Sequence, residues 1–428
     1  MSESNFNKSI PQLTEHLFRR EAGKMVSVLT KIFGTENLET AEDVVQHTFM
    51  DALKVWAFKG IPQNPSAWLF RVAKNKAIDV IRKNKHSVHY DFSDSERALL
   101  KSEYTLSTAM QNLWKEELIQ DDMLRMMFAC CHPGLSEENQ ITLILKTLCG
   151  FSTAEIAKSF LVSEDTVSKR LYRTKEFFRQ QKVKMEIPSA SEINKRTDAV
   201  LNSIYLLFNE GYNSTHSDQL IRKDLIDEAL MLCKLLTENK NTQLPEVYAL
   251  MALMHFHSAR SNSRLTTDGE IILLPDQDRS TWNYNLISVG NEYMDKSAFG
   301  DTISNYHLEA AIAFEHCIAE SFDKTNWRRI LELYEWLCKI SPSPISELNK
   351  AVVIMQVHGA AHALETLKKI SEKKKMENYY LYFSLLGEIN LRLNNSPEAK
   401  IHFENAIRLT QSTSEKKMLK DKVKLLAS

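Results

Sequence analysis

The sequence predicts an all-α chain: two small helical domains, the second a helix-turn-helix, followed by a large α-helical repeat-like domain. Three observations carry this. Gly (11) and Pro (10) are scarce for 428 residues, so few positions break a helix. Apolar residues recur at three- and four-residue spacing through most of the chain. The one strand-like run is EIILL at 270–274. The length exceeds what one hydrophobic core usually serves, so two or three domains are expected.

The elements follow in order. Leu13, Leu17, Ala22, Met25, Val28, Leu29 and Ile32 mark a helix over 13–33, and Gly34 ends it. Thr40 and Asp43 have capping-box spacing and open a second helix to about Phe58. Asn64 caps and Pro65 starts a third, reaching about Lys85. These make a first domain over 1–86. Residues 87–107 are polar and aperiodic and read as a linker. A second domain spans 108–185: a helix to Cys130, a turn at CHPGLS, a helix over 136–149 closed by Gly150, and STAEIAKSFLVSEDTVSKRLYRTKEFF from 152. IPSASE at 187–192 marks a boundary, and 186–428 forms the third domain.

Hydrophobic residues make up 43% and charged residues 25%, ordinary for a soluble protein. Six cysteines without CxxC spacing suit a reducing compartment, and no apolar run is long enough to span a bilayer. The expectation is a cytoplasmic protein with no membrane partner and no cofactor.

The stretch from 152 has two short amphipathic segments. Ser152 and Glu155 form a capping box, Leu161 and Val162 make the turn, and Ser163 caps the second segment. Val167, Leu171 and Phe178 face inward. Ser168, Lys169 and Arg173 face outward, flanked by Arg170 and Lys175, a face suited to a major groove. Helix-turn-helix turns often hold Gly, and Leu161 stands there instead.

The net charge is −1, so nucleic-acid binding requires local patches. Two exist. Residues 152–184 hold eight Lys or Arg against four acids, and 59–85 hold seven against one. In the latter, Trp68, Arg71, Lys74, Asn75, Asp79 and Arg82 share a broad helix face. Trp can stack a base, the cations can hold phosphate, and Asn can bond a base edge, which suits single-stranded DNA.

Together these segments resemble sigma factors of the extracytoplasmic-function group of the sigma-70 family. AEDVVQHTFMDALKVW resembles the helix that binds the RNA polymerase clamp, PSAWLFRVAKNKAIDVIRK the −10 reader, and the stretch from 152 the −35 reader. The resemblance implies a sigma subunit whose partners are core RNA polymerase and promoter DNA. It implies core-polymerase contacts at Asp43, Gln46, Phe49 and Leu53, with His47 where Glu is usual. It implies −10 contacts at Trp68, Arg71, Lys74, Asn75 and Arg82, and −35 contacts at Ser168, Lys169, Arg170 and Arg173.

FNEGY at 208–212, DGEIILLPDQDRSTW at 268–282 and SPSPISELNKAV resemble the C-terminal extension of one sigma subgroup. Within it Phe383, Leu386, Gly387, Ala399, Phe403 and Ala406 fit a tetratricopeptide-like pattern. Ala351 to Gly387 and Ala363 to Ala399 both span 36 residues, with Leu367 repeating a further position, and Ile330, Tyr334, Leu337 and Pro342 look like part of another unit. The extension is expected to bind a regulatory protein or a ligand. The alternative reading is a helical repeat adaptor that binds proteins without recognising promoters. Two lesser readings are an acid-base site at Glu210, Asp268, Glu270, Asp276 and Asp278, with Arg279 placed to pair with them, and a metal site at Cys130, Cys131 and His132. Acidic loops are usually solvated, and adjacent cysteines seldom share one zinc geometry.

Overall fold

A computed structural model describes residues 3–83, 112–160, 162–214, 220–371 and 373–426. The expected linker at 87–107 and the turn residue Leu161 lie outside the described residues. Among those described, the backbone is helical and no strand forms. EIILL contributes only Ile271, in an isolated antiparallel bridge with Leu265. The chain divides into two compact units: Met1–Leu207 with Asp227–Thr242, and Phe208–Ile226 with Gln243–Ser428.

The first unit opens with α1 (Glu3–Phe33), longer than its apolar spacing foretells. Met25, Val28, Leu29, Ile32 and Phe33 on α1 are fully buried. Gly34 (φ 85°) ends the helix in the left-handed region, where glycine has no Cβ to clash. A single 3₁₀ turn, Thr35–Asn37, leads directly into α2 (Leu38–Lys59). The expected capping box at Thr40 and Asp43 therefore does not start this helix. The 3₁₀ turn already delivers the backbone in helical register, and the Leu38 N–H bonds the Thr35 carbonyl. Next, α3 (Pro65–Lys83) begins as its sequence dictates: Asn64 Oδ1 accepts from the Ala67 N–H at 3.0 Å and Pro65 takes the first helical position.

Four helices follow in the second sigma-like segment: α4 (Glu116–Cys130), α5 (Glu137–Thr147), α6 (Thr153–Ser159) and α7 (Glu164–Gln181). They pack against the first three rather than apart from them. Gly23 of α1 sits so close to Leu148 that a Cβ there would lie 2.3 Å from the Leu148 carbonyl oxygen. Lys31 Nζ of α1 meets Asp122 Oδ1 of α4 at 2.8 Å, and Asp122 is fully buried. A buried carboxylate is tolerated when it is paired. The unit is completed by most of α8 (Ala190–Tyr212) and by the part of α9 (Lys223–Glu238) from Asp227 onward. Arg196 of α8 donates to the Phe128 carbonyl at 3.3 Å, tying α8 to α4.

In the second unit α10 (Pro245–Ala259) packs on α11 (Tyr284–Ser297) and α12 (Asn305–Ile318). From α12 each successive helix lies on its neighbour: α13 (Trp327–Ile340), α14 (Pro344–His358) and α15 (Ala360–Lys368). After a short turn of helix, α16 (Lys373–Met376), come α17 (Tyr380–Arg392), α18 (Ser396–Leu409) and α19 (Thr413–Leu425). Leu308, Ile312, Ile330, Leu333 and Leu337 form one core and Ala351, Ala363, Leu367, Leu386 and Ile389 belong to another. Gly387 lets α17 approach α18, since a Cβ there would lie 2.6 Å from the Phe403 ring. Burial of Phe403 contributes about 2–3 kcal/mol. Among the described residues no helix is long and apolar enough to cross a membrane.

Candidate nucleic-acid and polymerase interface

The three expected contact surfaces fall on α2, α3 and α7, all in the first unit. On α2, Asp43, Gln46 and Leu53 are exposed. Phe49 is not. It is buried, with its ring 5.0 Å from Phe18 of α1, so it supports α2 rather than offering a surface. The exposed apolar side chains of α2 are instead Met50, Leu53 and Phe58, the last 92% accessible. Leu53 is an expected contact; Met50 and Phe58 are not, because apolar spacing does not say which side chains of the helix turn outward.

On α3, Arg71, Asn75 and Arg82 are exposed and Lys74 and Trp68 are half-buried. Arg82 Nη1 lies 3.7 Å from Asp79. The Trp68 ring packs edge-on to Trp56 of α2, 5.4 Å between centroids. One edge of the indole is thus fixed by the core while another remains accessible, which holds its orientation. Leu69, Ala73, Ala77 and Ile81 take the opposite, buried face.

The pair α6–α7 is built by local chemistry. The Ser152–Glu155 capping box forms, and Ser163 Oγ accepts from the Thr166 N–H at 3.3 Å. Val167, Leu171 and Phe178 are buried. Opposite them Ser168, Lys169, Tyr172 and Arg173 are exposed. Lys169 pairs with Asp165 one turn earlier at 2.7 Å, and Ser168 Oγ donates to the Glu164 carbonyl at 3.0 Å. Arg170 departs from the expected surface: its guanidinium lies over the Phe160 ring at 5.1 Å and its Nη1 is enclosed. It braces the two helices.

The far end of α7 is occupied by α2. Lys175 Nζ lies 2.5 Å from Glu42 Oε2, and Arg179 Nη2 lies 2.7 Å from Glu39 Oε2. A third pair joins α1 to the helix-turn-helix, Arg19 to Glu155 at 3.1 Å. Burial alone would raise the Glu155 carboxyl, but Arg19 and the Ser152 donors outweigh it and hold the group down at about 2. These pairs join residues more than 130 positions apart, and no local pattern announces them.

The lesser readings are not assembled. Asp268, Glu270, Asp276 and Asp278 are all exposed; Asp278 caps a turn by accepting from the Ser280 N–H, and Glu270 pairs with Lys417. Arg279 does not pair with them but donates to the carbonyls of His316 and Ala319. Glu210 instead faces Arg222 and Ser214. Cys130 and Cys131 are fully buried side chains of α4 and its C-terminal turn, and burial pushes the Cys130 thiol up to about 12.

Two stretches of the first unit match known protein families. Residues 17–87 match the Sigma-70 region 2 family and residues 125–178 the Sigma-70, region 4 family. Residues 196–298 match a family of unknown function, DUF6596. An uncharacterized protein of Rhizobium meliloti (strain 1021) is 33% identical over 379 residues, covering 89% of this chain and 88% of its own. The ECF RNA polymerase sigma factor SigW of Bacillus subtilis (strain 168) is 27% identical over 152 residues, 34% of this chain and 76% of that one. The chain belongs to the sigma-70 family as an RNA polymerase sigma factor of the extracytoplasmic-function type, carrying a helical C-terminal extension.

Proposed function

We propose that α3 reads the melted −10 element and α7 the −35 duplex, while the exposed face of α2 grips core RNA polymerase. The observation that carries this is the pairing of each basic helix with a buried face that fixes it and an exposed polar face free of the core: Arg71 and Asn75 on α3, Ser168, Lys169 and Arg173 on α7. Unstacking a base costs a few kcal/mol, and stacking on Trp68 with phosphate contacts from Arg71, Lys74 and Arg82 offsets that cost. On α2, Asp43, Gln46, Met50, Leu53 and Phe58 form the gripping surface. The chain supplies no bond-making chemistry of its own; the polymerase does. It acts in the cytoplasm.

The functional division is 1–86 for region 2, 87–107 for the linker, 108–185 for region 4 and 186–428 for a tetratricopeptide-like regulatory extension that takes a partner protein or a ligand. The first helices of that extension pack with the sigma regions, since Asp227–Thr242 belongs to their unit. Whole-chain experiments are therefore the informative ones. Run-off transcription with purified core enzyme on a genomic promoter library tests the assignment. Wild-type protein directs initiation from a defined promoter class, Arg173→Ala lowers it through the −35 element, and Asn75→Ala alters −10 preference. Initiation without promoter preference would return the chain to the adaptor reading.

A further inference from the structure

The second unit contains three arginines gathered with no salt-bridged carboxylate among the described residues. Arg260 closes the C-terminal end of α10, Arg264 follows one 3₁₀ turn later, and Arg279 lies in the 268–282 segment. The Arg260 and Arg279 guanidiniums lie over one indole, that of Trp282, at 5.6 and 4.6 Å. Arg264 lies over the Tyr212 ring at 4.0 Å.

Among the described residues the hydrogen-bond acceptors of these cations are neutral groups, and the charge of Glu415 also acts on Arg264. Arg260 Nη2 donates to Tyr212 Oη at 3.1 Å. Arg264 donates to the Tyr212 carbonyl and, at 3.2 Å, to Asn213 Oδ1. Arg279 Nη1 donates to the carbonyls of His316 at 2.6 Å and Ala319 at 2.8 Å. Arg222 in the same unit, by contrast, has both Glu210 and Asp224 beside it. Enclosed arginines are normally paired with acids, because carrying an unpaired charge out of water is expensive.

Donors are also left over. Among the described residues Arg260 Nε, Arg279 Nη2 and Trp282 Nε1 are enclosed donors with no hydrogen-bond partner, and Nδ1 of His257 and of His316 is enclosed and unpartnered too. Such orphans in one place point to a missing acceptor. Burial, then Arg260 and Arg279, push the His316 ring down to about 3, so it stays neutral. Arg260, Arg264, Arg279, His257 and His316 are half-buried as residues, although the unpartnered donor atoms themselves are enclosed.

We propose that this cluster is a binding site for a small oxyanion-bearing ligand, its phosphate or carboxylate oxygens held by Arg260 and Arg279 beside the Trp282 ring. Guanidinium forks match the oxygen geometry of both groups, and the aromatic rings suit an organic body attached to the anion. This deepens the reading of the extension as a regulatory module by naming a ligand class. Binding is measured without transcription, so either idea can fail alone.

The test uses full-length protein, with sodium phosphate and sodium citrate each compared to sodium chloride at equal ionic strength. A specific oxyanion at ten times its Kd raises Tm by about 3–5 °C, whereas chloride leaves it unmoved. The stronger of phosphate and citrate identifies the anion class. Arg279→Gln, the least enclosed of the three, weakens binding by about tenfold or more in titration calorimetry. The proposal is overturned if neither oxyanion exceeds chloride or if Arg279→Gln binds as wild type does.

Discussion

Lys175 Nζ of α7 lies 2.5 Å from Glu42 Oε2 of α2, an ion pair that joins the proposed −35 reader to the proposed polymerase-binding helix. Both side chains are largely buried, 22% and 14% accessible, so solvent screens the pair less than an ordinary surface bridge. Glu42→Lys should therefore loosen the contact between these helices. Hydrogen exchange across residues 164–181 is expected to quicken. Adding Lys175→Glu should restore protection, with a coupling of about 1–3 kcal/mol in the double-mutant cycle. Equal exchange in the single and double variants would mean the pair carries no coupling.

Close packing of α1 on the end of α5 rests on Gly23. A methyl group at that position meets the Leu148 carbonyl, and backbone yields poorly. Gly23→Ala is expected to cost about 2–3 kcal/mol despite the better helix propensity of alanine, measured by denaturant unfolding.

Acid should weaken the same packing through Glu155. Its carboxyl is held at about 2 in the folded chain against an ordinary value near 4.5. A depressed carboxyl contributes stability that is fully present above the ordinary value and lost as pH falls through the folded one. The window is thus about pH 4.5 down to 2, and the contribution at neutral pH is about 3 kcal/mol. Unfolding curves of wild type and Glu155→Gln should differ at pH 7 and converge toward pH 2.

The proposed promoter contacts separate by type. Arg173 is exposed on α7, so Arg173→Ala should leave the fold intact and weaken duplex binding. If it touches phosphate, the slope of log K against log salt falls by about 1; if it reads a base, discrimination at one position falls by about 1–3 kcal/mol. Fluorescence anisotropy across salt concentrations distinguishes the two.

Phe58 is 92% accessible at the end of α2, so Phe58→Ser should change stability by less than about 0.5 kcal/mol. Affinity for core polymerase is nevertheless expected to fall, about tenfold, in a competition assay against a second sigma factor.

Much of the helical framework was legible because local chemistry specifies it. Ser152 with Glu155, Ser163, Asn64 with Pro65, and Gly34 each act within four residues, and each does what its type demands. The face carrying Asn75 and Arg71 followed from helical spacing alone. Phe49, which the resemblance implies as a polymerase contact, is buried: a helix carrying Val44, Val45, Phe49, Met50 and Leu53 has more apolar residues than one buried stripe holds, and resemblance does not say which of them turn outward. The ion pairs of Arg19, Lys175 and Arg179 were hidden for a different reason: their partners come from a separate segment of chain. The arginine cluster is hidden likewise, since Tyr212, Arg260, Arg279 and His316 are brought together only by folding.

The return of Asp227–Thr242 to the first unit has a consequence for synthesis. A ribosome releases the chain from its N-terminus, so regions 2 and 4 leave the exit tunnel well before the helix that finishes their packing. Residue 242 must emerge before that unit is whole, and two stretches of the other unit are already out by then or follow directly. A nascent chain that stops short of residue 227 is thus an unfinished object, and its first unit becomes whole only past the midpoint of translation.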